Sequence, residues 1–167
     1  MSTILKPSYG SSVAFTTTNL QSLANSSGGT AGWMSAVVDN TSNLSMDEMV
    51  SWVIKMGTSP TAGATCECWL WETLDDTPTY PDTITGSEGT VTFTSANVKL
   101  SGALKFAGLI TVDGTSSRLY YNTVRLSQCF GLSVPKKWGA AFINISGVTM
   151  ASSGNVVTRT PIQFQNA

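Results

Sequence analysis

The side chains that could carry out chemistry are few, because the chain contains no histidine. A Ser-His-Asp triad, a Cys-His pair and a histidine-based metal site are therefore excluded. The acids include two adjacent pairs, Asp47 with Glu48 and Asp75 with Asp76. Neighbours along a strand point to opposite faces, so such a pair cannot flank a substrate as the two carboxyl groups of a glycosidase do. We therefore predict that the protein is not an enzyme and has no catalytic residue.

The second acidic pair lies where a strand pattern runs into a loop. Asp75 and Asp76 precede two prolines, Pro78 and Pro81, which fix φ and remove backbone donors. In a loop the two carboxylates could converge on a calcium ion or could accept hydrogen bonds from backbone N–H groups. Capping of the turn is favoured, because aspartate is a common turn former. The residues predicted to shape this loop are Asp75, Asp76, Pro78, Tyr80 and Pro81.

The three cysteines are predicted to be reduced structural thiols. Their odd number, in a chain that shows no secretion signal, is typical of free thiols. Cys66 and Cys68 point to the same strand face and could supply two metal ligands, but zinc usually takes four and no histidine is present. Burial of Cys66, Cys68 and Cys129 is therefore favoured, and the sequence predicts no metal and no cofactor.

Composition limits the classes of partner. The chain has 167 residues, 41% of them hydrophobic and only 11% charged, with a net charge of −1. Its densest basic site is Lys136 with Lys137, which argues against direct nucleic-acid binding. No apolar run is long enough to span a membrane, and residues 1–10 lack the apolar core of a signal peptide. We expect a soluble protein made in a cytoplasm.

Alternating apolar residues predict the elements that position these groups. The organising strand is 65–72, in which Trp69 and Trp71 share one face and Cys66, Cys68 and Leu70 share the other. Turn formers separate it from the other apolar segments, and a short helix or turn is expected near 45–48 or 127–130. The pattern predicts an all-β protein, an antiparallel β-sandwich or jelly roll of about eight strands. The predicted strands are 33–38, 46–56, 65–72, 90–94, 105–112, 118–126, 140–145 and 156–165.

The predicted domain organisation is an N-terminal arm or tail, residues 1–32, followed by the sandwich, residues 33–167. The first segment is rich in glycine, serine and threonine and has too few apolar residues for a core of its own. Its apolar residues could instead fill pockets on a neighbouring subunit. We therefore expect a homo-oligomer, with a trimer preferred over a dimer. The predicted interface residues are Ile4, Leu5, Phe15, Leu20, Trp69, Trp71 and Trp138.

The tryptophans have two interpretations. Aromatic rings can stack on carbohydrate, so some of the five tryptophans could form a sugar-binding platform. Their positions inside predicted strands favour a place in the core or in an interface instead. An open aromatic face in the folded protein would be required for the sugar-binding interpretation.

Three segments resemble a family of structural proteins from the virions of tailed bacteriophages. They are residues 33–43, which end in the turn Asp-Asn-Thr-Ser-Asn at 39–43, residues 69–82, which contain the loop Leu-Asp-Asp-Thr-Pro-Thr-Tyr-Pro at 74–81, and Val-Pro-Lys-Lys-Trp-Gly at 134–139. The resemblance spans residues 33–165 and implies a non-enzymatic capsid decoration or cement protein with a jelly-roll-type sandwich. The implied partner is the major capsid protein of the same phage, and the implied location is the capsid surface after assembly in the host cytoplasm. The alternative is a receptor- or glycan-binding module of a head or tail fibre.

Overall fold

Two antiparallel sheets form a β-sandwich, which confirms the predicted fold class. The computed structural model describes residues 5–75, 77, 79–102, 104–131 and 133–166, and these form eleven strands. Sheet A has the order β1 (Leu5–Tyr9), β11 (Val156–Asn166), β5 (Asp47–Lys55) and β9 (Leu119–Arg125), with β2 (Val13–Ala14) also pairing β11. Sheet B has the order β7 (Gly89–Thr92), β3 (Ala31–Met34), β10 (Lys137–Ile145), β6 (Thr65–Glu72) and β8 (Leu104–Thr111), with β4 (Val38–Asp39) also pairing β10.

The strands pair as nested hairpins. β1 pairs β11, β3 pairs β10, β5 pairs β9 and β6 pairs β8, so early strands meet late strands in reverse order. Two further pairings, β11 with β5 and β10 with β6, join the hairpins within each sheet. The last two strands of the chain therefore lie inside the sheets.

The main core lies between the sheets and is made by the alternating residues that the sequence pattern identifies. In β5, Val50, Trp52 and Ile54 are buried while the residues between them are half-buried. Cys66, Cys68 and Leu70 of β6 belong to the same hydrophobic cluster. Period-two patterning thus places one face of each strand against the opposing sheet.

The outer face of sheet B is also buried, because the chain covers it. Trp69 and Trp71 of β6 pack there with Ala141 and Ile143 of β10. Ile84 and Tyr80, from the connection between β6 and β7, pack against this face together with Val91 of β7, Phe93 and Leu104 of β8. Both faces of β6 and β10 are consequently apolar, and sheet A alone leaves its outer face uncovered by this connection.

The short helices lie at turns. Helix α1 (Asn40–Asn43) begins after Asp39, whose side chain accepts a hydrogen bond from the backbone N–H of Thr41 at 2.9 Å. The expected helix or turn near 45–48 is therefore displaced, since Glu48 belongs to β5 and faces the core. Helix α2 (Leu126–Phe130) lies near the second expected turn, and a 3₁₀ helix occupies Ala96–Ser101.

The N-terminal segment runs along the sandwich of its own chain, which differs from the predicted separate arm. β1 and β2 pair β11, and β3 begins before residue 33. Leu20 and Leu23 are buried in the main core, and Leu23 accepts a backbone hydrogen bond from Met150 at 3.0 Å. Leu20 and Leu23 therefore fill places in the core of their own chain.

Candidate functional site

The predicted interface residues are mostly core residues. Trp71, Trp138 and Leu20 are completely buried within the single chain, and Trp69 is only 6% exposed. Phe15 is half-buried and packs edge-on against Trp138, with ring centroids 6.0 Å apart. Leu5 belongs to β1, and Ile4 lies outside the described residues. None of Trp69, Trp71 and Trp138 offers the open ring face that a sugar platform requires.

The loop after β6 is held by side-chain capping and aromatic packing. Asp75 accepts hydrogen bonds from the backbone N–H of Thr79 at 3.0 Å and from its hydroxyl at 2.9 Å. Tyr80 packs edge-on against Trp71, with ring centroids 5.8 Å apart, and Pro81 is buried. Asp76 and Pro78 fall outside the described residues. The described part of the loop is thus anchored on the outer face of sheet B.

The three segments that carry the phage resemblance meet at one end of the sandwich. They line a shared cleft, the motif cleft, formed by Asp39, Thr41, Thr73, Asp75, Lys136 and Lys137. The backbone carbonyl of Lys136 accepts from Asn40 N at 2.7 Å, and that of Lys137 accepts from Thr73 N at 3.1 Å. Segments far apart in sequence are therefore tied together through the backbone that leads into β10.

The acids of the motif cleft are occupied by structural contacts. Hydrogen bonds from Thr41 hold the pKa of Asp39 below its ordinary value, with a further contribution from Lys137, whose Nζ lies 3.8 Å from the carboxylate. Asp75 is bonded to Thr79, as described above. Within the part of the chain that the structure describes, no group of three or more cysteine, aspartate or glutamate side chains could hold a metal ion. The contacts of Asp39 and Asp75 therefore stabilise the turns that meet at the cleft.

The thiols are unsuited to nucleophilic chemistry in the folded protein. All three cysteines are free, with Cys66 and Cys68 buried. Burial raises the pKa of Cys66 to about 11 and also raises the pKa values of Cys68 and Cys129. The thiolate is the reactive form, and a raised pKa keeps these groups protonated at neutral pH.

The outer side of sheet A is the exposed surface that lacks a cover. We call it the open face; it consists of Ser51, Val53, Leu119, Tyr121, Thr123, Val156 and Thr158. Register places Val53 between Tyr121 and Val156 in one row, and Ser51 between Thr123 and Thr158 in the next. Leu119, Tyr121 and Val156 are 41%, 66% and 39% exposed. The open face thus combines an apolar row with a row of hydroxyls and contains no charged residue.

One end of the open face is bounded by a polar bridge. Arg125 of β9 donates a hydrogen bond from Nη2 to the hydroxyl of Tyr9 on β1, at 3.1 Å. β11 and β5 lie between those two strands, so the bridge crosses the central part of the sheet. At the other end, Lys55 lies opposite Leu119. The charges of this side therefore stand at its margins.

The open face was missed by the sequence predictions. The pattern at 118–126 separates Leu119, Tyr121 and Thr123 from Tyr120 and Val124, but it does not say which set faces inward. In the structure Tyr120 and Val124 pack against the main core. The hydroxyl of Tyr120 hydrogen-bonds Asp113 and gives this aromatic ring a polar partner at the edge of the core.

Comparisons with family models, curated proteins and solved structures find no match to this chain. Among the described residues, no helix is long and apolar enough to cross a membrane.

Proposed function

We propose that the protein is a non-enzymatic structural component of a bacteriophage virion, a capsid decoration or cement protein. It binds the major capsid protein at the capsid surface and stabilises the head by bridging neighbouring subunits. In this role, function resides in the area and shape of a contact surface and requires no reactive group. The resemblance of the three segments in the motif cleft supports the viral class, and the open face supports the mode of action.

The observation that carries the proposal is the composition of the open face. Interface centres are depleted in charge and enriched in aromatic residues, and exposed apolar patches mark interaction sites. Tyr121, Leu119 and Val156 provide such a patch, while neighbouring Ser51 and Thr158 supply neutral hydrogen-bonding groups. None of the residues of the open face lines one of the clefts described for the molecule, and a surface outside a concave pocket fits a large protein partner better than a small ligand.

We interpret the sandwich as a jelly roll. Nested pairing of β1 with β11, β3 with β10, β5 with β9 and β6 with β8 is what results when a long hairpin is rolled into two sheets. In this interpretation β7 is an addition beside β3, within the connection that covers sheet B. This architecture is common in viral capsid domains, which is compatible with the proposed class.

The fibre or glycan-binding alternative is not carried forward. It depended on stacking platforms made by tryptophans, and Trp69, Trp71 and Trp138 are buried. The expected trimer depended on an arm that docks on a neighbour, whereas β1 and β2 pair β11 of the same chain. The proposal therefore retains a homo-oligomer without a preferred trimer.

The proposal is tested by locating the protein in image reconstructions of particles of the phage that encodes it. Density for this chain on the outer capsid surface is expected, and density only in the tail or in no part of the particle would overturn the proposal. Binding of purified protein to capsids that lack it gives the second measurement. Val156→Lys should weaken binding about tenfold or more, because it places an unpaired charge in the contact.

Thr111→Lys is the matched control, since Thr111 is exposed on β8 and lies outside the open face. It should bind capsids as the unchanged protein does. Equal weakening by both lysines would show that added charge acts non-specifically and would contradict a role for the open face.

A further inference from the structure

Strand β9 forms the exposed edge of sheet A. Among the described residues it pairs only β5, in an uninterrupted register from Leu119 opposite Lys55 to Arg125 opposite Met49. An edge strand presents a row of backbone N–H and C=O groups that can pair with another chain. The described strands give the two sheets four edges, and the other three are less suited than β9 to regular pairing with another strand.

Each of the other edges carries a feature that prevents regular pairing. The edge formed by β1 and β2 contains Pro7 and is interrupted at residues 10–12. β7 is four residues long. β8 contains an irregularity opposite Cys68 and Trp69, with Gly108 at φ 136°. Proline, short length and bulges are the devices by which proteins protect edges. Leu119–Arg125 contains no proline, no glycine and no register shift.

The direction of the free backbone groups follows from two contacts. The carbonyl of Arg118 accepts from Met56 N, so even-numbered residues of β9 point toward β5. The N–H of Arg125 donates to the side chain of Gln128 in α2, so odd-numbered residues point away from β5. Because the direction alternates along an antiparallel strand, the N–H and C=O groups of Leu119, Tyr121 and Thr123 face the open edge. Among the described residues, sheet A has no strand on that side.

We propose that β9 pairs antiparallel with β9 of a second copy of this chain, about a two-fold axis at Tyr121. Tyr121 then lies opposite Tyr121 of the second copy, and Leu119 lies opposite Thr123 of the second copy. Each of the three facing pairs exchanges two hydrogen bonds, which satisfies all the free groups on this edge. The two A sheets become one continuous sheet, and the open faces of both copies form one larger surface.

The chemistry of β9 fits a second copy better than an unrelated peptide. The outward side chains that meet across the axis are neutral, with the two Tyr121 rings adjacent on one face. Arg125 falls opposite Ser117 of the second copy, so no like charges are brought together. Ser117 has φ 58° and Gln128 occupies the N–H of Arg125, so both ends of the paired segment are closed. Because the contact is isologous, it uses the edge of both copies and ends at a dimer.

The test places a charge of either sign at Tyr121. The mass of the full chain in solution is measured by light scattering after size exclusion and by sedimentation equilibrium. The unchanged protein should be a dimer. Tyr121→Lys and Tyr121→Glu should each raise the dimer dissociation constant at least tenfold, because like charges then face each other across the axis. An equimolar mixture of the two variants should recover a dimer that contains one copy of each.

Two further variants distinguish pairing through the edge of β9 from stacking through the open face. Val156→Lys lies on β11, inside the sheet, and should leave the dimer intact; loss of the dimer would indicate face-to-face stacking and overturn the proposal. Thr123→Pro removes an N–H that points to the open edge and should weaken the dimer with little change in the melting temperature of the subunit. A monomeric or trimeric unchanged protein, or a mixture of the two charged variants that stays monomeric, would also overturn the proposal.

Discussion

Among the polar contacts of the core, the ion pair between Glu48 and Arg159 should cost the most stability when one partner is replaced. Glu48 of β5 is completely buried, and Nη1 of Arg159 on β11 lies 3.1 Å from both of its carboxylate oxygens. Arg159→Met keeps much of the apolar stem and removes the charge. Breaking a buried pair by removal of one partner costs about 3–5 kcal/mol, since the remaining charge is uncompensated. For a chain of this length, the melting temperature should fall by about 6–20 °C.

The pH dependence of the variant gives the decisive measurement. Burial raises the pKa of Glu48, while Arg159 lowers it and the neighbouring Asp47 raises it slightly. A carboxyl whose folded pKa is raised favours the folded state at low pH and loses that contribution as pH rises through the folded pKa. Arg159→Met removes the group that lowers the pKa of Glu48, so the folded pKa of Glu48 should be higher in the variant. The free energy of unfolding of the variant should therefore increase as the pH is lowered from 7.5 to 5. Asp39 and Asp113, whose pKa values are lowered by hydrogen bonds from Thr41 and Tyr120, stay ionised over this window.

The assay is urea denaturation of the unchanged protein and of three variants at both pH values. Glu48→Gln combined with Arg159→Met should recover most of the loss, because neither position then holds an uncompensated charge. Arg125→Met is the matched control: Arg125 is exposed and its loss should cost about 1 kcal/mol or less. A loss below about 1 kcal/mol for Arg159→Met, or an equal loss at both pH values, would refute the reasoning.

Three further predictions follow from the core and the turns. A thiol reagent at pH 8 should modify Cys66 and Cys68 only on unfolding, because burial raises their pKa values, and fast labelling of the folded protein would contradict this. Cys66→Ser should lower the free energy of unfolding in urea by about 1–3 kcal/mol. Asp75→Ala should cost about 1 kcal/mol through the lost bonds to Thr79, and chelator should not change the melting temperature. Deletion of residues 2–31 should abolish cooperative unfolding, since it removes β1, β2, Leu20 and Leu23; a folded truncated sandwich would show that the segment is dispensable.

Alternation of apolar residues and the positions of turn formers were sufficient to predict most of the strands from residue 33 onward. The predicted strand 65–72 coincides with β6, and the predicted strands at 46–56 and 118–126 each contain the observed strand. Alternation and turn formers act over a few residues, so the sequence displays them directly. The predicted strand 33–38 is instead divided into β3 and β4, and between them Val37 N donates to the carbonyl of Gly86 in the covering connection. That bond joins residues far apart and has no local signal.

Placement of side chains on inner and outer faces was harder to predict. Trp69 and Trp71 share a face with Glu67, which indicated partial exposure. The covering connection buries that face, and Glu67 is paired there with Lys99 at 2.5 Å and with Trp69 Nε1 at 2.8 Å. The open face was missed for the complementary reason, since β9 alternates cleanly but exposure depends on what the rest of the chain leaves uncovered. Burial on a sheet face is a property of the whole fold.

The inside position of the last two strands sets the order in which the molecule can be made. β10 lies between β3 and β6, and β11 lies between β1 and β5, so neither sheet has its central strand until residues 137–166 have left the ribosome. Completion of both sheets therefore requires closure of loops that span most of the chain, which slows folding. Until then the nascent chain exposes strands that carry tryptophan, and exposed apolar strands of this kind are prone to aggregate.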